Sequence, residues 1–214
     1  MIRSDNISSL NPAGVQAMWE YGVNTVIDLR TETEAAQFPS PFAAPDYGPT
    51  YLNLPVIDDA FMARVNDTEG IPQRYRLMVD HRQESFAQIF SALAHTEGPA
   101  VVHCFAGKDR TGLVAAMALA LAGADKDAIA ADYAETDVQL AGRYAEWLAS
   151  ASPERLASMR DELRCEPEWM LGLLAHIDET WGGVEPYLAG AGVPPADLVR
   201  LKAKLAGQRF PSPE

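Results

Sequence analysis

From Gly98 to Gly123 the chain reads "GPAVVHCFAGKDRTGLVAAMALALAG". A short β-branched run starts after one glycine and stops at a Gly-containing turn. The turn feeds straight into an alanine-rich stretch that ends at another glycine. This is the pattern of a buried strand, a tight turn and a helix, and a strand buried on both faces belongs to an α/β sheet. A second β-branched run, "VNTVIDLR", ends near Asp28 and follows a helix signal. That helix has Asn11 as N-cap, Pro12 at its first position and Gly22 as its stop. The pattern predicts a central, mostly parallel sheet of four or five strands with helices on both faces.

Elsewhere the chain is less regular. The stretch from Thr33 to Pro55 carries several prolines and reads as irregular, with one strand in "TYLNLPVI". "DDAFMARVNDTEGIPQRY" shows no clear period and reads as a mobile loop or short helices. Phe86, Ile89, Phe90 and Leu93 recur at helical spacing, and Asp125 is placed to cap a further helix. From Val138 to Ala206 the chain reads as almost wholly helical, broken at Ser152-Pro153, Glu166-Pro167 and Gly182-Gly183. No internal repeat and no linker interrupts it, so residues 1–214 are expected to form a single domain.

Charge narrows the partners. The 214 residues carry a net charge of −13, which disfavours nucleic acid and anionic membrane surfaces as general partners but leaves room for a locally positive pocket. "MIRSDNISSL" has no apolar signal core, and the longest apolar stretch, Leu113 to Ala124, is too short to span a bilayer. The expectation is a cytoplasmic protein without integral membrane association, whose two cysteines, Cys104 and Cys165, are reduced. Oligomeric state is not legible at this level.

The turn after the strand carries the chemistry. Cys104 ends the strand, and Arg110 follows six residues later at the start of the helix. The amides of Phe105, Ala106, Gly107, Lys108 and Asp109 can wrap one phosphate-sized anion at the positive end of the helix dipole. Arg110 can clamp two of its oxygens with a planar fork. The same field favours a thiolate at Cys104, a nucleophile beneath a tetrahedral anion and aligned for in-line attack on phosphorus. The alternative for Cys104 is a small buried hydrophobe, and for Arg110 a surface arginine.

"HCFAGKDRTG" resembles the signature His-Cys-x5-Arg-[Ser/Thr] of cysteine-dependent tyrosine phosphatases, in particular the bacterial atypical tyrosine and lipid phosphatases. "RSDNIS", "VIDLRTETE" and "DETWGGVEPYLAGAGV" are similar to further segments of that family, so the likeness spans nearly the whole chain. Family members carry a stretch before "RSD" that adds an early strand or hairpin. Here Met1 stands close by, which leaves the extent of that sheet edge open.

The resemblance implies a phosphatase acting through a phosphocysteine, on phosphotyrosine first and on phosphoserine/threonine or phosphoinositide as further candidates. It assigns Asp109 as general acid, and a carboxyl held beside a bound phosphate is expected to keep its proton. Otherwise Asp109 only favours the helix N-terminus, and Asp58 or Asp59 serves as the acid. Thr111 is expected to donate a hydrogen bond to the Cys104 sulfur, or else to cap the helix start. His103 is expected to order the loop. Lys108 is expected at the loop rim, holding further anionic groups or simply solvated. Asp28 and Arg30 are expected to form an ion pair that buttresses the site. Part of residues 138–166 is expected to act as a lid, while Cys165, Trp147, Trp169 and Trp181 are expected to play no part.

No metal or organic cofactor is expected. The four histidines are dispersed, with no His-x-x-x-His spacing. A magnesium-dependent nucleotide loop fails because Val102 stands where its first glycine is required and Asp109 where Ser or Thr is required. A rhodanese-like sulfurtransferase and a non-catalytic phosphate-binding module are the competing readings.

Overall fold

Four strands, β1 (Ile2–Ser4), β2 (Thr25–Asp28), β3 (Thr50–Asn53) and β4 (Ala100–His103), form one sheet in the order β1-β4-β2-β3. The computed structural model describes residues 1–44 and 48–207. Every strand pairing is parallel, so the sheet has the lower strand number expected and is wholly parallel. β4 lies inside, between β1 and β2, and the register sets Ser4, His103 and Asp28 side by side at the C-terminal ends of the three strands. That end of a parallel sheet is where ligand sites collect.

Alternation along the strands divides the core. Val26 and Val101 face a small cluster with Ile7, Val23 and Phe42, covered by Val15 and Met18 of α1 (Pro12–Glu20). Ile27 and Val102 face the opposite way, into the main core. That core is filled from α5 (Gln83–His95), α6 (Asp109–Leu121), α7 (Lys126–Gln139) and α10 (Pro167–Trp181), together with the C-terminal helices α11 (Val184–Gly190) and α12 (Pro195–Leu205). Helices cover both faces as expected, but very unequally.

Two irregular-looking segments contain helices. Residues 32–37 form α2 (Glu32–Gln37), started by a reciprocal capping box in which Thr31 Oγ1 accepts from the Glu34 amide and Glu34 accepts from the Thr31 amide. The aperiodic stretch becomes α3 (Asp59–Asn66) and α4 (Ile71–His81), the short helices of the two expected alternatives. Asp58 caps α3, and Gly70 at φ +94° separates the pair. Each helix is only two or three turns long, so one stripe of apolar residues never persists across both. Residues 141–163 form α8 (Ala141–Ser150) and α9 (Pro153–Leu163). α9 buries none of its residues and α8 only Tyr144.

Candidate active site

The residues from Cys104 to Lys108 turn the chain from β4 into α6, whose first residue is Asp109. Gly107 makes the turn possible. Its φ is +68°, and a Cβ there would stand 2.4 Å from the Ser4 carbonyl oxygen. Arg3 anchors the same point from β1: its Nε donates to the Gly107 carbonyl (3.1 Å), and its other nitrogens donate to Asp132 and Thr136 on α7. Cys104 is 2% exposed, at the base of the loop.

Arg110 points back toward the loop from the first turn of α6. Its two terminal nitrogens donate to the two oxygens of Glu34, at 2.5 and 2.9 Å. Burial disfavours the Arg110 cation, yet Glu34, with Cys104 and Asp109 nearby, holds its pKa above the ordinary arginine value. Burial alone would raise the Glu34 pKa, but the hydrogen bonds and charge of Arg110 bring it below the usual carboxylate range. A guanidinium has five N–H donors, so this pair fixes the plane of Arg110 while leaving hydrogens to meet an anion. Glu34 was not singled out from sequence. The signal was present in "TETE", where Thr31 and Glu34 have capping-box spacing and mark a helix start.

Beneath the strand ends, Arg30 and Asp28 form a fully buried pair with N–O contacts of 2.6 to 3.1 Å. Tyr51 donates to the same carboxylate (2.8 Å). Burial works against charge on Asp28, but Arg30, His103 and Tyr51 hold its pKa below the ordinary value. Arg30 also donates to Asn6 and to the Phe38 carbonyl, tying the segment after β1 and the end of α2 to the site. His103 is fully buried with Nδ1 3.2 Å from the Cys104 carbonyl oxygen, and burial pushes its pKa down. Thr111 Oγ1 is buried with no hydrogen-bond partner, so the expected bond to the Cys104 sulfur is not formed.

Asp109 Oδ1 accepts from the Tyr75 hydroxyl at 2.7 Å, and Lys108 Nζ lies 3.7 Å from the same oxygen. The rival carboxylates have other occupations. Asp58 accepts from the Phe61 amide at the start of α3 and pairs with Arg82 at 3.0 Å. Asp59 accepts from the Thr33 hydroxyl. The Phe61 amide lowers the pKa of Asp58, and hydrogen bonds from Thr31 and Thr33 lower that of Asp59, which makes both poorer proton donors.

Three expectations need correction. Lys108 is not a solvated rim residue: its side chain is 2% exposed, donates to the Glu162 carbonyl at 2.5 Å, and lies 5.8 Å from the centre of the Trp169 ring. Carbonyl groups at the C-terminal end of a helix suit a cation, which is why the ammonium sits under α9. Trp147 is not a bystander, because it stacks on Phe105 of the loop at 6.3 Å, while Phe38 meets Phe105 edge-on at 5.7 Å. Trp169 is drawn in through Lys108, whereas Trp181 packs on Tyr187 and His176 away from the loop. Cys165 is buried, and burial first, then Asp137, push its thiol up to about 12.

No helix among the described residues is long and apolar enough to cross a membrane. The tyrosine phosphatase family matches residues 1–207. A tyrosine-protein phosphatase of Nostoc commune is 29% identical over 95% of this chain and 73% of its own length. The triple specificity protein phosphatase PtpB of Mycobacterium tuberculosis is 29% identical over 97% of this chain and 91% of its own.

Proposed function

The chain belongs to the tyrosine phosphatase family and is a hydrolase of that family, and on this premise we propose that it hydrolyses phosphotyrosine through a phosphocysteine intermediate. The observation that carries the reading is that Arg110, held in plane by Glu34, lies within charge reach of Cys104 at the base of the loop. A phosphate bound by the loop amides of residues 105–109 and by Arg110 presents phosphorus to the Cys104 thiolate. Negative charge that builds on the equatorial oxygens meets donors already oriented, so little reorganisation is required. Asp109 gives its proton to the leaving oxygen, then takes one from the water that hydrolyses the phosphocysteine. Thr111, buried and unpartnered beside the loop, is available to donate to the sulfur as it leaves.

Phe38, Phe105 and Trp147 favour an aromatic ester, since a phenyl ring can stack where a serine side chain gains nothing. The Mycobacterium relative's printed name, triple specificity, supports a substrate range wider than one phosphoester, with phosphoserine/threonine and phosphoinositide the candidates. Part of residues 138–166 acts as a lid: α8 and α9 bury almost nothing of their own and reach the loop through Trp147 and Lys108.

The test is phosphate release from phosphotyrosine and phosphoserine peptides, an aryl phosphate and phosphoinositides, by wild type, Cys104→Ser and Asp109→Asn. Turnover that is highest on phosphotyrosine and vanishes in Cys104→Ser is the expected result, with vanadate inhibiting and EDTA without effect. Activity that survives in Cys104→Ser, or that EDTA abolishes, overturns the mechanism.

A further inference from the structure

Tyr75 lies on α4 in a stretch without a motif, yet its side chain is wholly buried and its hydroxyl meets two groups. Asp109 Oδ1 is 2.7 Å away, and the Tyr133 hydroxyl of α7 is also 2.7 Å away. A phenol has one proton. Given to the carboxylate oxygen, it leaves Tyr75 only as an acceptor toward Tyr133, so the bonds run in one direction, from Tyr133 to Tyr75 to Asp109. The two rings meet edge to face, 6.0 Å apart, which fixes the hydroxyls relative to each other. Burial and the charge of Asp109 raise both phenol pKa values, so both remain donors.

Lys108 Nζ faces the same oxygen, Oδ1, at 3.7 Å. A protonated carboxyl carries its hydrogen on one oxygen, and a donor and a cation at Oδ1 exclude it from there. The hydrogen is therefore placed on Oδ2, on a side chain that keeps 38% exposure while Tyr75 behind it is sealed. Arg110 also acts on Asp109 by charge, but from the loop side, as part of the phosphate clamp.

We propose that Tyr75, backed by Tyr133, is a positioning residue for the proton transfer of this phosphatase. The inference rests on the reading of Asp109 as general acid. As the Cys104 sulfur bonds to phosphorus and the ester P–O bond breaks, the Oδ2 proton passes to the leaving oxygen. The charge that appears on the carboxylate is met at Oδ1 by the Tyr75 hydroxyl. In the second step water attacks phosphorus, the S–P bond breaks to return the thiolate, and Oδ2 takes the water proton. Tyr75 touches neither phosphate nor leaving group, and acts only through Asp109.

The experiment compares kcat of the full chain with Tyr75→Phe, Tyr133→Phe and Asp109→Asn across aryl phosphates of graded phenol acidity. Vanadate affinity reports whether the loop is intact. Tyr75→Phe is expected to lose about tenfold on the least acidic phenol, the size of one hydrogen bond to a charged group, and within about twofold on nitrophenyl phosphate, which needs little protonation. Vanadate affinity is expected to be unchanged. Tyr133→Phe follows the same pattern at about threefold, through weaker polarisation of Tyr75. A loss equal across all leaving groups, or none, while Asp109→Asn remains strongly leaving-group dependent, overturns the role of Tyr75 alone. An Asp109→Asn profile that is flat removes Asp109 as the acid, and the Tyr75 proposal with it. Should Tyr75→Phe fail to fold, Tyr133→Phe decides on the same criterion.

Discussion

The two terminal nitrogens of Arg110 are bonded to the two oxygens of Glu34, residues 76 apart in sequence, at 2.5 and 2.9 Å. The first lies in the first turn of α6, just after the Cys104–Lys108 turn, and the second in a short helix held by its own capping box. Because Glu34 serves both as cap and as Arg110 partner, the integrity of α2 and the orientation of the clamp are one property.

Glu34→Ala is expected to lower kcat/KM for an aryl phosphate about ten- to a hundredfold and to cost about 1–3 kcal/mol of stability, since a largely buried guanidinium loses its counter-charge. Glu34→Gln keeps an acceptor and the cap, and should recover part of both losses. Steady-state kinetics beside urea unfolding check this. Wild-type kinetics in the alanine variant would show that Arg110 holds its place without the pair.

Gly107→Ala places a methyl group against the β1 backbone and forces a non-glycine residue to positive φ. The strain is about 1–3 kcal/mol, and the loop should relieve it by opening. We expect vanadate affinity to fall at least tenfold while the helical circular dichroism is retained. Unchanged affinity would mean that the turn tolerates the displacement.

Acid should destabilise the protein over two pH ranges. Burial lowers the His103 pKa, so its contribution is whole above the ordinary value of about 6.5 and is lost as pH falls through the lowered value. Asp28 and Glu34 are also lowered, against the pull of burial, by Arg30 and Arg110. Their contributions are whole above the ordinary range near about 4 and fail only as pH falls through the depressed values. Urea midpoints should decline as pH falls below about 6.5, and again below about pH 4. His103→Asn should start lower at pH 7 and flatten the first decline. Parallel declines in the variant and the wild type would remove His103 as its cause.

Trp147→Ala removes the stack on Phe105 that holds α8 to the loop. Trp147 is only half-buried, so stability should change by less than about 1 kcal/mol. Hydrogen exchange across residues 141–163 should quicken, and KM for a phosphotyrosine peptide should rise as the substrate ring loses a stacking partner. Unaltered exchange would show that the Lys108 contact with Glu162 and the ion pair of Arg143 with Asp5 are enough to hold the helices.

The loop from Cys104 to Arg110 was legible because its chemistry is local. An apolar strand, a glycine able to take positive φ and a helix start are signals read over a few neighbouring residues, and they set the path of the backbone from Cys104 into the first turn of α6. The strands at Thr25–Asp28 and Ala100–His103 were legible for the same reason, as was the α/β class. The helices α2, α3 and α4 were harder, being too short for a period to establish itself.

What surrounds the loop was decided by tertiary structure. Glu34, Tyr75, Tyr133 and Trp147 come from four different helices, each with a local sequence that explains its helix and nothing more. They converge because the strand order β1-β4-β2-β3 puts β4 inside the sheet, so that its loop emerges among neighbours from every part of the chain. Lys108 shows the difference most sharply. Its charge and position in the loop suggested solvent, yet chain packing set the carbonyl end of α9 and the Trp169 ring over it. Sequence determines where a strand can turn tightly into a helix, because that depends on short-range dihedral preference. Which side chains bond to Asp109, hold Arg110 in plane and stack on Phe105 depends on distant segments closing on one another, and only the folded chain decides that.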